Sequence, residues 1–405
     1  MAPTRSDQTL IVGGGPVGMT AALSLARRGI PVRVLEAGPD FAADPRASST
    51  HPSTLDMLEE LGLEVPMMAQ GYRVDCWQFW DRMDGPIIKL ELGELAGLTR
   101  HPFRLQLEQH RLCGIIQQAL KTHGVEVAFN SRVTALRQDE DGVVATVDGP
   151  GGTREETGRF LIGADGGRST IRKSLGISFE GYSLSELFVV VTTEYPFGQH
   201  GYADACHFAD PDQWATLFRT PNGGAEPFWR ISMPAMSNLS EDEARNFDRC
   251  SERLAILLPE GARATVFHAN LYGVHQRVAG TFRLGRVLLA GDAAHVNGPT
   301  GALGMNFGIQ DAVFLAEQLA RVYAEPADTT PLDRYDRQRR VLAEAILQKQ
   351  PQLIKARLEL RDAEARKARN AALRAMGTDT ARRMAFLKES TMLDSVAQSA
   401  ALGAG

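Results

Sequence analysis

The stretch Gly13-Gly14-Gly15-Pro16-Val17-Gly18 constrains the fold of this chain more than any other. It follows a short apolar run, Thr9 to Val12, that reads as a buried strand, and it precedes a helix expected from about Val17 to Arg28, with Gly29 as its stop. Val32 to Leu35 reads as a second strand, ending at Glu36 and Ala37. Strand, tight turn, helix and strand in that order open a parallel sheet. Gly13 permits the turn, Gly15 lets backbone approach a pyrophosphate, and Gly18 lets the helix pack closely on the strand. Pro16 and Val17 begin a helix whose free N–H groups and dipole attract phosphate. Glu36 can accept hydrogen bonds from both hydroxyls of an adenosine ribose, and its charge would repel a 2′-phosphate.

The chain is long enough for two or three domains, at 405 residues, and its 43% hydrophobic and 23% charged residues exclude a wholly disordered protein. A net charge of −5 gives no reason to expect nucleic acid as the main partner. Cys76, Cys113, Cys206 and Cys250 lie far apart, with no CxxC and no zinc spacing. Free thiols in a reducing cytoplasm, and no metal, are the expectation. Leu10 to Ala26 is apolar, but its glycines and Pro16 break it and no cleavage site follows, so it is not read as a signal peptide. No apolar run reaches the length of a membrane span, and no membrane partner is expected.

Two further stretches end buried strands in small residues. One is Gly163-Ala164-Asp165-Gly166-Gly167-Arg168-Ser169, with Arg172 one turn along a helix. It can bring backbone close to a cofactor, or it can be an ordinary strand–helix junction capped by Asp165. The other runs from Gly285 through Gly291-Asp292 to His295 and continues as Pro299-Thr300-Gly301-Ala302-Leu303-Gly304-Met305-Asn306. Asp292 could accept hydrogen bonds from a polyol, and the helix opened by Gly304 to Asn306 could turn its N–H groups toward a carbonyl or a developing anion. Between these motifs, from Glu186 to Pro234, short strands alternate with turns and aromatics gather, which reads as a largely antiparallel sheet. The tail from about Pro351 is rich in Ala, Arg, Glu and Leu and reads as helix packed on the body or on a second copy of the chain, so a homodimer is one expectation.

Taken together, the three motifs resemble the single-component flavoprotein aromatic hydroxylases with the fold of p-hydroxybenzoate hydroxylase, from about Leu10 to Leu319. The resemblance implies an α/β fold in which a Rossmann-like FAD-binding domain is interleaved with a mainly antiparallel β-sheet substrate domain, followed by a helical tail. Its expected segments are 1–72, 105–178 and 279–350 for FAD, 73–104 and 179–278 for substrate, and 351–405 for the tail. It implies FAD contacts at Asp165 and Gly166, at Asp292 along the ribityl chain, and at Pro299, Gly304, Met305 and Asn306 beside the isoalloxazine. Arg46, in Asp44-Pro45-Arg46-Ala47, matches the mobile-flavin loop, Gln109 the ribityl-contacting position, and the backbone at Arg132-Val133 the adenine contact. Ala302 departs from the glycine many relatives carry there.

The reaction so implied uses NAD(P)H as a transient co-substrate and O2, and passes a hydroxyl from a flavin C4a-hydroperoxide to a small phenolic or hydroxylated heteroaromatic ring. Such a ring needs a base or relay. His207 and Tyr272 are the catalytic candidates, with His268 and His275 behind them, while Arg219 and Arg230 are candidates for pairing a substrate carboxylate. His295 reads as structural. Other readings of the same residues are a reductase or halogenase of this fold, the latter lacking its lysine and tryptophan motif here, and a non-redox binding protein.

Overall fold

The computed structural model describes residues 7–42, 47–236 and 239–403. Arg46 lies outside the described residues.

A six-stranded sheet carries the glycine motifs. Thr9–Val12 sits inside it, paired in parallel with Val32–Leu35 on one side and Phe160–Gly163 on the other. Val287–Leu289 and Val127–Ala128 extend it in parallel, and Arg283–Leu284 closes one edge antiparallel. Thr9–Val12, Phe160–Gly163 and Val287–Leu289 are buried at every residue. Strands covered on both faces read as unbroken apolar runs, which is why these segments stand out in the sequence. The helix between the first two strands spans Pro16–Ala26, and a longer one, Leu303–Ala324, packs beside it.

The aromatic segment forms an eight-stranded sheet, mainly antiparallel, built around the long pair Phe179–Thr193 and Val266–Ala279. Cys76–Asp81 and Gly85–Glu91 join its far edge from much earlier in the chain, through a parallel pairing with Ala205–Ala209. A third, three-stranded sheet has Arg104–Gln106 between Ser49–Thr50 and Tyr72–Val74. It lies where the chain passes between the two larger sheets.

The tail folds back on its own chain as helices Gln350–Leu358, Ala363–Met376, Thr380–Ser390 and Leu393–Gly403. Leu358, Leu373 and Leu387 are buried in one apolar cluster with Trp77 and Phe79. Arg369 forms a buried ion pair with Asp81, Arg383 pairs with Glu94, and Lys355 with Glu186 at 3.0 Å. The tail thus closes over the edge of the aromatic sheet.

Candidate active site

The first glycine turn divides its labour as side-chain sterics require. Gly13 has φ +112°, and a Cβ there would overlap the carbonyl of Ala164. A Cβ at Gly18 would overlap the carbonyl of Gly13. Gly15 is different: a Cβ there would meet nothing within 4 Å. The backbone at Gly15 therefore borders open space at the start of the Pro16–Ala26 helix, whose N-terminus has no capping side chain and no acid in its first turn. Val17 points the other way and packs against Gly291 and Gly308.

Glu36 ends the second strand with both carboxylate oxygens in backbone hydrogen bonds, from Gly14 N at 2.6 Å and Gly38 N at 2.7 Å. An ionised carboxylate has about four acceptor positions, so a ribose could still be met there. Ser131 N donates to the Glu36 carbonyl at 2.8 Å, which brings the segment holding the buried Val133 to the same edge as Ala37. Gln109 opens the helix Gln109–Lys121 directly after Glu108.

Asp165 spends its side chain on local structure. It accepts from Ser169 Oγ at 2.6 Å, Thr170 N at 2.7 Å and Ile171 N at 3.1 Å. Of the two sequence readings of this stretch, the helix-capping one describes the carboxylate, and what remains for a ligand is backbone, at Gly166 with φ +78°. Arg172 then ties this motif to the third, donating to the carbonyls of Ala293 at 2.9 Å and Gly167 at 3.0 Å.

The Gly-Asp turn rests on a buried charge cluster. Asp311, wholly buried on the Leu303–Ala324 helix, accepts from Gly291 N at 3.1 Å, His295 Nε2 at 2.6 Å and Arg339 Nε at 2.6 Å. Burial opposes its ionisation, but Arg339 and His295 outweigh that and hold its pKa below the usual carboxylate value. His295 has the structural place expected of it, and Asp292, next to Gly291, is held at the exposed surface of the turn.

The following loop faces a cavity. Pro299 is exposed. Gly301 and Ala302 both adopt left-handed backbone, at φ +88° and +55°, and Ala302 caps the long helix. Gly304 and Met305 lie in its first turn. Asn306 is fully buried and uses its side chain to hold the loop: it accepts from His51 N and donates to the carbonyls of Ser49 and Ala302, each at 2.8 Å. His51 in turn bonds the Gly301 carbonyl at 3.0 Å. Burial, then the charge of Arg104, push the His51 pKa down to about 3.

That cavity, of about 90 Å³, is walled by Trp77, Phe79 and His207 from the aromatic sheet, by Gly301 and Leu303, by Arg104 from the small sheet, and by tail residues including Gln350, Leu353, Ile354, Arg357, Phe386, Glu389 and Ser390. His207 stands edge-on to Trp77 at 5.3 Å, and burial, then Arg104 and Arg357, lower its pKa to about 3. The ring is therefore neutral at working pH. Tyr272 is not on this wall. It stacks on Phe188 at 6.2 Å within the apolar cluster behind it, bonds Ser232 Oγ at 3.2 Å, and has its pKa raised to about 12, chiefly by burial. Arg219 pairs with Glu226, and Arg230 with Glu108 at 3.2 Å, so both guanidinia already have acids. His275 is exposed and bonds Ser183 at 2.7 Å, away from the wall. A larger open hollow of about 400 Å³, bordered by Gln8, Arg33, Lys121 and Glu126, lies at the far edge of the parallel sheet, clear of every glycine motif.

Sequence reasoning missed Trp77, Phe79, Arg104 and the tail residues of this wall. A signal for Arg104 was present: in Phe103-Arg104-Leu105-Gln106-Leu107 a cation alternates with apolar residues and is buried like them.

Open space at Gly15, an uncapped helix N-terminus, Glu36 at the strand end and exposed Asp292 together suit an elongated dinucleotide leading to the Gly301–Leu303 loop. The comparisons agree. The model of the FAD binding domain family matches residues 6–350. Over 338 residues the chain is 37% identical to a para-nitrophenol 4-monooxygenase of Pseudomonas sp. strain WBC-3, covering 82% of this chain and 83% of that one. It is 32% identical to a 6-hydroxy-3-succinoylpyridine 3-monooxygenase of Pseudomonas putida strain S16, over 83% and 85% of the two chains. The solved structure of a p-nitrophenol 4-monooxygenase from Pseudomonas putida DLL-E4 superposes with a TM-score of 0.88 at 32% identity, over 97% and 98% of the two chains. The chain belongs to the FAD-binding family of single-component aromatic monooxygenases, and FAD is its cofactor.

Proposed function

We propose that this monooxygenase hydroxylates a small phenol or hydroxypyridine, at the ring carbon para to the hydroxyl, inside the cavity between the aromatic sheet and the Gly301–Leu303 loop. The observation that carries this reading is the shared wall: Trp77, Phe79 and His207 on one side, Gly301 and Leu303 on the other. The size supports a single ring, since about 90 Å³ is well below the roughly 300–1,000 Å³ typical of pockets for drug-sized ligands. The names of both curated relatives also support the position, because each places oxygen at a ring carbon para to a hydroxyl.

Bound FAD supplies two-electron reduction by NAD(P)H and activation of O2. The chain's own residues do the rest. Gly15 and the Pro16–Ala26 helix N-terminus hold the pyrophosphate, Glu36 and Ala37 the ribose, the Val133 backbone the adenine, Gln109 and Asp292 the ribityl chain, and the Pro299 to Asn306 segment the ring system. Trp77, Phe79 and Phe386 exclude water from the reacting ring. The N-terminus of the Leu303–Ala324 helix favours negative charge beside it. His207, neutral and without a hydrogen-bond partner among the described residues, offers a ring nitrogen to the substrate hydroxyl. Four buried free cysteines support a reducing compartment such as the cytoplasm.

The test is oxidation of NADH and NADPH by the FAD-loaded protein with a panel of substituted phenols, hydroxybenzoates and hydroxypyridines, with product mass followed in the same samples. Acceleration with oxygenated product from a single-ring substrate is the expected result. Acceleration by fused polycyclic substrates alone would contradict the size argument, and bound FAD without any acceleration or product would leave a different flavin reaction.

A further inference from the structure

Arg104 occupies the middle strand of the small sheet, and its side chain reaches the substrate cavity while remaining only 8% exposed as a residue. It donates to the Ser390 carbonyl at 3.0 Å, and its Nε has no acceptor among the described residues. No carboxylate pairs with it among those residues. The acid on the cavity wall, Glu389, sits at the exposed edge and accepts from Gln350 at 2.9 Å. The other groups around Arg104 bring no negative charge. His51 and His207 are neutral, the Cys76 thiol is pushed up to about 11 by burial, and Arg357 is a second cation. Arg104 itself stays charged near neutral pH although burial lowers its pKa to about 10.

A buried guanidinium without a counter-charge is unfavourable unless another anion reaches it. Three other deeply placed arginines have an acid, since Arg230 has Glu108, Arg339 has Asp311 and Arg369 has Asp81, while Arg172 gives its guanidinium to the Ala293 and Gly167 carbonyls. Arg104 alone among these five lines the cavity in which the ring is placed. A phenol gives up electron density to an electrophilic oxygen most readily as its anion, so the missing charge and the required substrate form coincide.

We propose that Arg104 receives the ring oxyanion of the phenolic substrate, and that this contact makes the enzyme select ionised phenols over neutral rings. The proposal rests on the reading of the cavity as the substrate site. Arg104 acts by direct hydrogen bonding, and Ser390 orients it, which makes the tail part of the specificity device.

Equilibrium dialysis of FAD-loaded protein against 4-nitrophenol, whose hydroxyl ionises near neutral pH, tests this without turnover. Between about pH 6 and about pH 9 the wild-type affinity should rise as the probe ionises and then level off. Arg104→Met should keep its FAD, bind the anion about tenfold or more weakly, and lose that rise, while Arg104→Lys should recover part of both. Unchanged affinity and pH profile in Arg104→Met would overturn the proposal and leave the substrate site standing, as would tighter wild-type binding of the protonated probe. Loss of FAD from Arg104→Met, with FAD kept by Arg104→Lys, would overturn it by assigning the cation to the cofactor. No binding by wild type of 4-nitrophenol or of any phenol in the panel would refute the reading of the site, and the proposal with it.

Discussion

At the Gly13–Gly18 turn, neighbours in sequence or on adjacent strand ends make the contacts: Gly18 against Gly13, Gly13 against Ala164, Val17 against Gly291. The walls of the cavity proposed for substrate instead come from residues 77–79, 104, 207, 301–303 and 350–390, carried by the aromatic sheet, the Arg104 strand, the loop before the Leu303–Ala324 helix and the tail. The first site is a backbone device, in which side chains matter mostly by their absence. The second is a side-chain device, in which position in the sequence carries little information. This difference decides how each site should respond to substitution.

One methyl group added at each of two glycines has the largest expected effect. Gly18→Ala forces backbone overlap with Gly13 and should give no folded, flavin-containing protein. Gly15→Ala meets no protein atom, so the apoprotein should unfold within about 0.5 kcal/mol of wild type while FAD retention falls. Thermal unfolding of the apo forms and flavin absorbance of the purified proteins separate the two outcomes. Equal effects at both glycines would mean that Gly15 is also structural.

Beneath the third motif the device becomes electrostatic. Asp311→Asn leaves Arg339 buried without its partner, and a loss of about 3–5 kcal/mol is expected by denaturant titration. FAD should be lost in parallel, because the Gly291 turn hangs on the same carboxylate.

His51 links the two regions, and its response to acid sharpens their coupling. Its folded pKa of about 3 lies below the ordinary value of 6.5, so the unfolded chain binds the extra proton between those limits. Stability contributed by keeping it neutral is complete above pH 6.5 and is lost as pH falls toward 3, by up to about 1.4 kcal/mol per pH unit. His51→Gln should flatten the acid limb of stability against pH by that amount.

The smallest expected effect is at the loop where the regions meet. Ala302 holds φ +55°, a left-handed conformation that costs alanine roughly 1 kcal/mol. Ala302→Gly should raise stability by about 0.5–1 kcal/mol, read as a small increase in midpoint of unfolding.

How much of this was legible follows from the same contrast. The strands Thr9–Val12, Val32–Leu35 and Phe160–Gly163 could be read because a parallel sheet buried on both faces leaves continuous apolar runs. The glycine turns could be read because only glycine fits where backbone meets backbone. His207 was legible as a residue of a strand in the aromatic segment, but nothing in sequence distinguished its place from that of Tyr272, and of the two only His207 lines the cavity. Asp165 and Asn306 were legible as motif members, yet their side chains serve the protein's own helices. The tail was legible as helix, since its composition favours one, but not as a wall of the cavity, because that depends on distant pairs such as Arg369 with Asp81.

Both sites are proposed to serve one oxygen transfer at one cavity. Turnover of the FAD-loaded protein with 4-nitrophenol and other small phenols, under isotopically labelled dioxygen, tests it most directly. One labelled oxygen atom in the ring product, at the carbon para to the original hydroxyl, is the result predicted, and with 4-nitrophenol the C–N bond at that carbon breaks, so that nitrite leaves and the ring is recovered as the quinone or its reduced hydroquinone. NAD(P)H oxidation that leaves every ring unlabelled and releases all oxygen as hydrogen peroxide would contradict it.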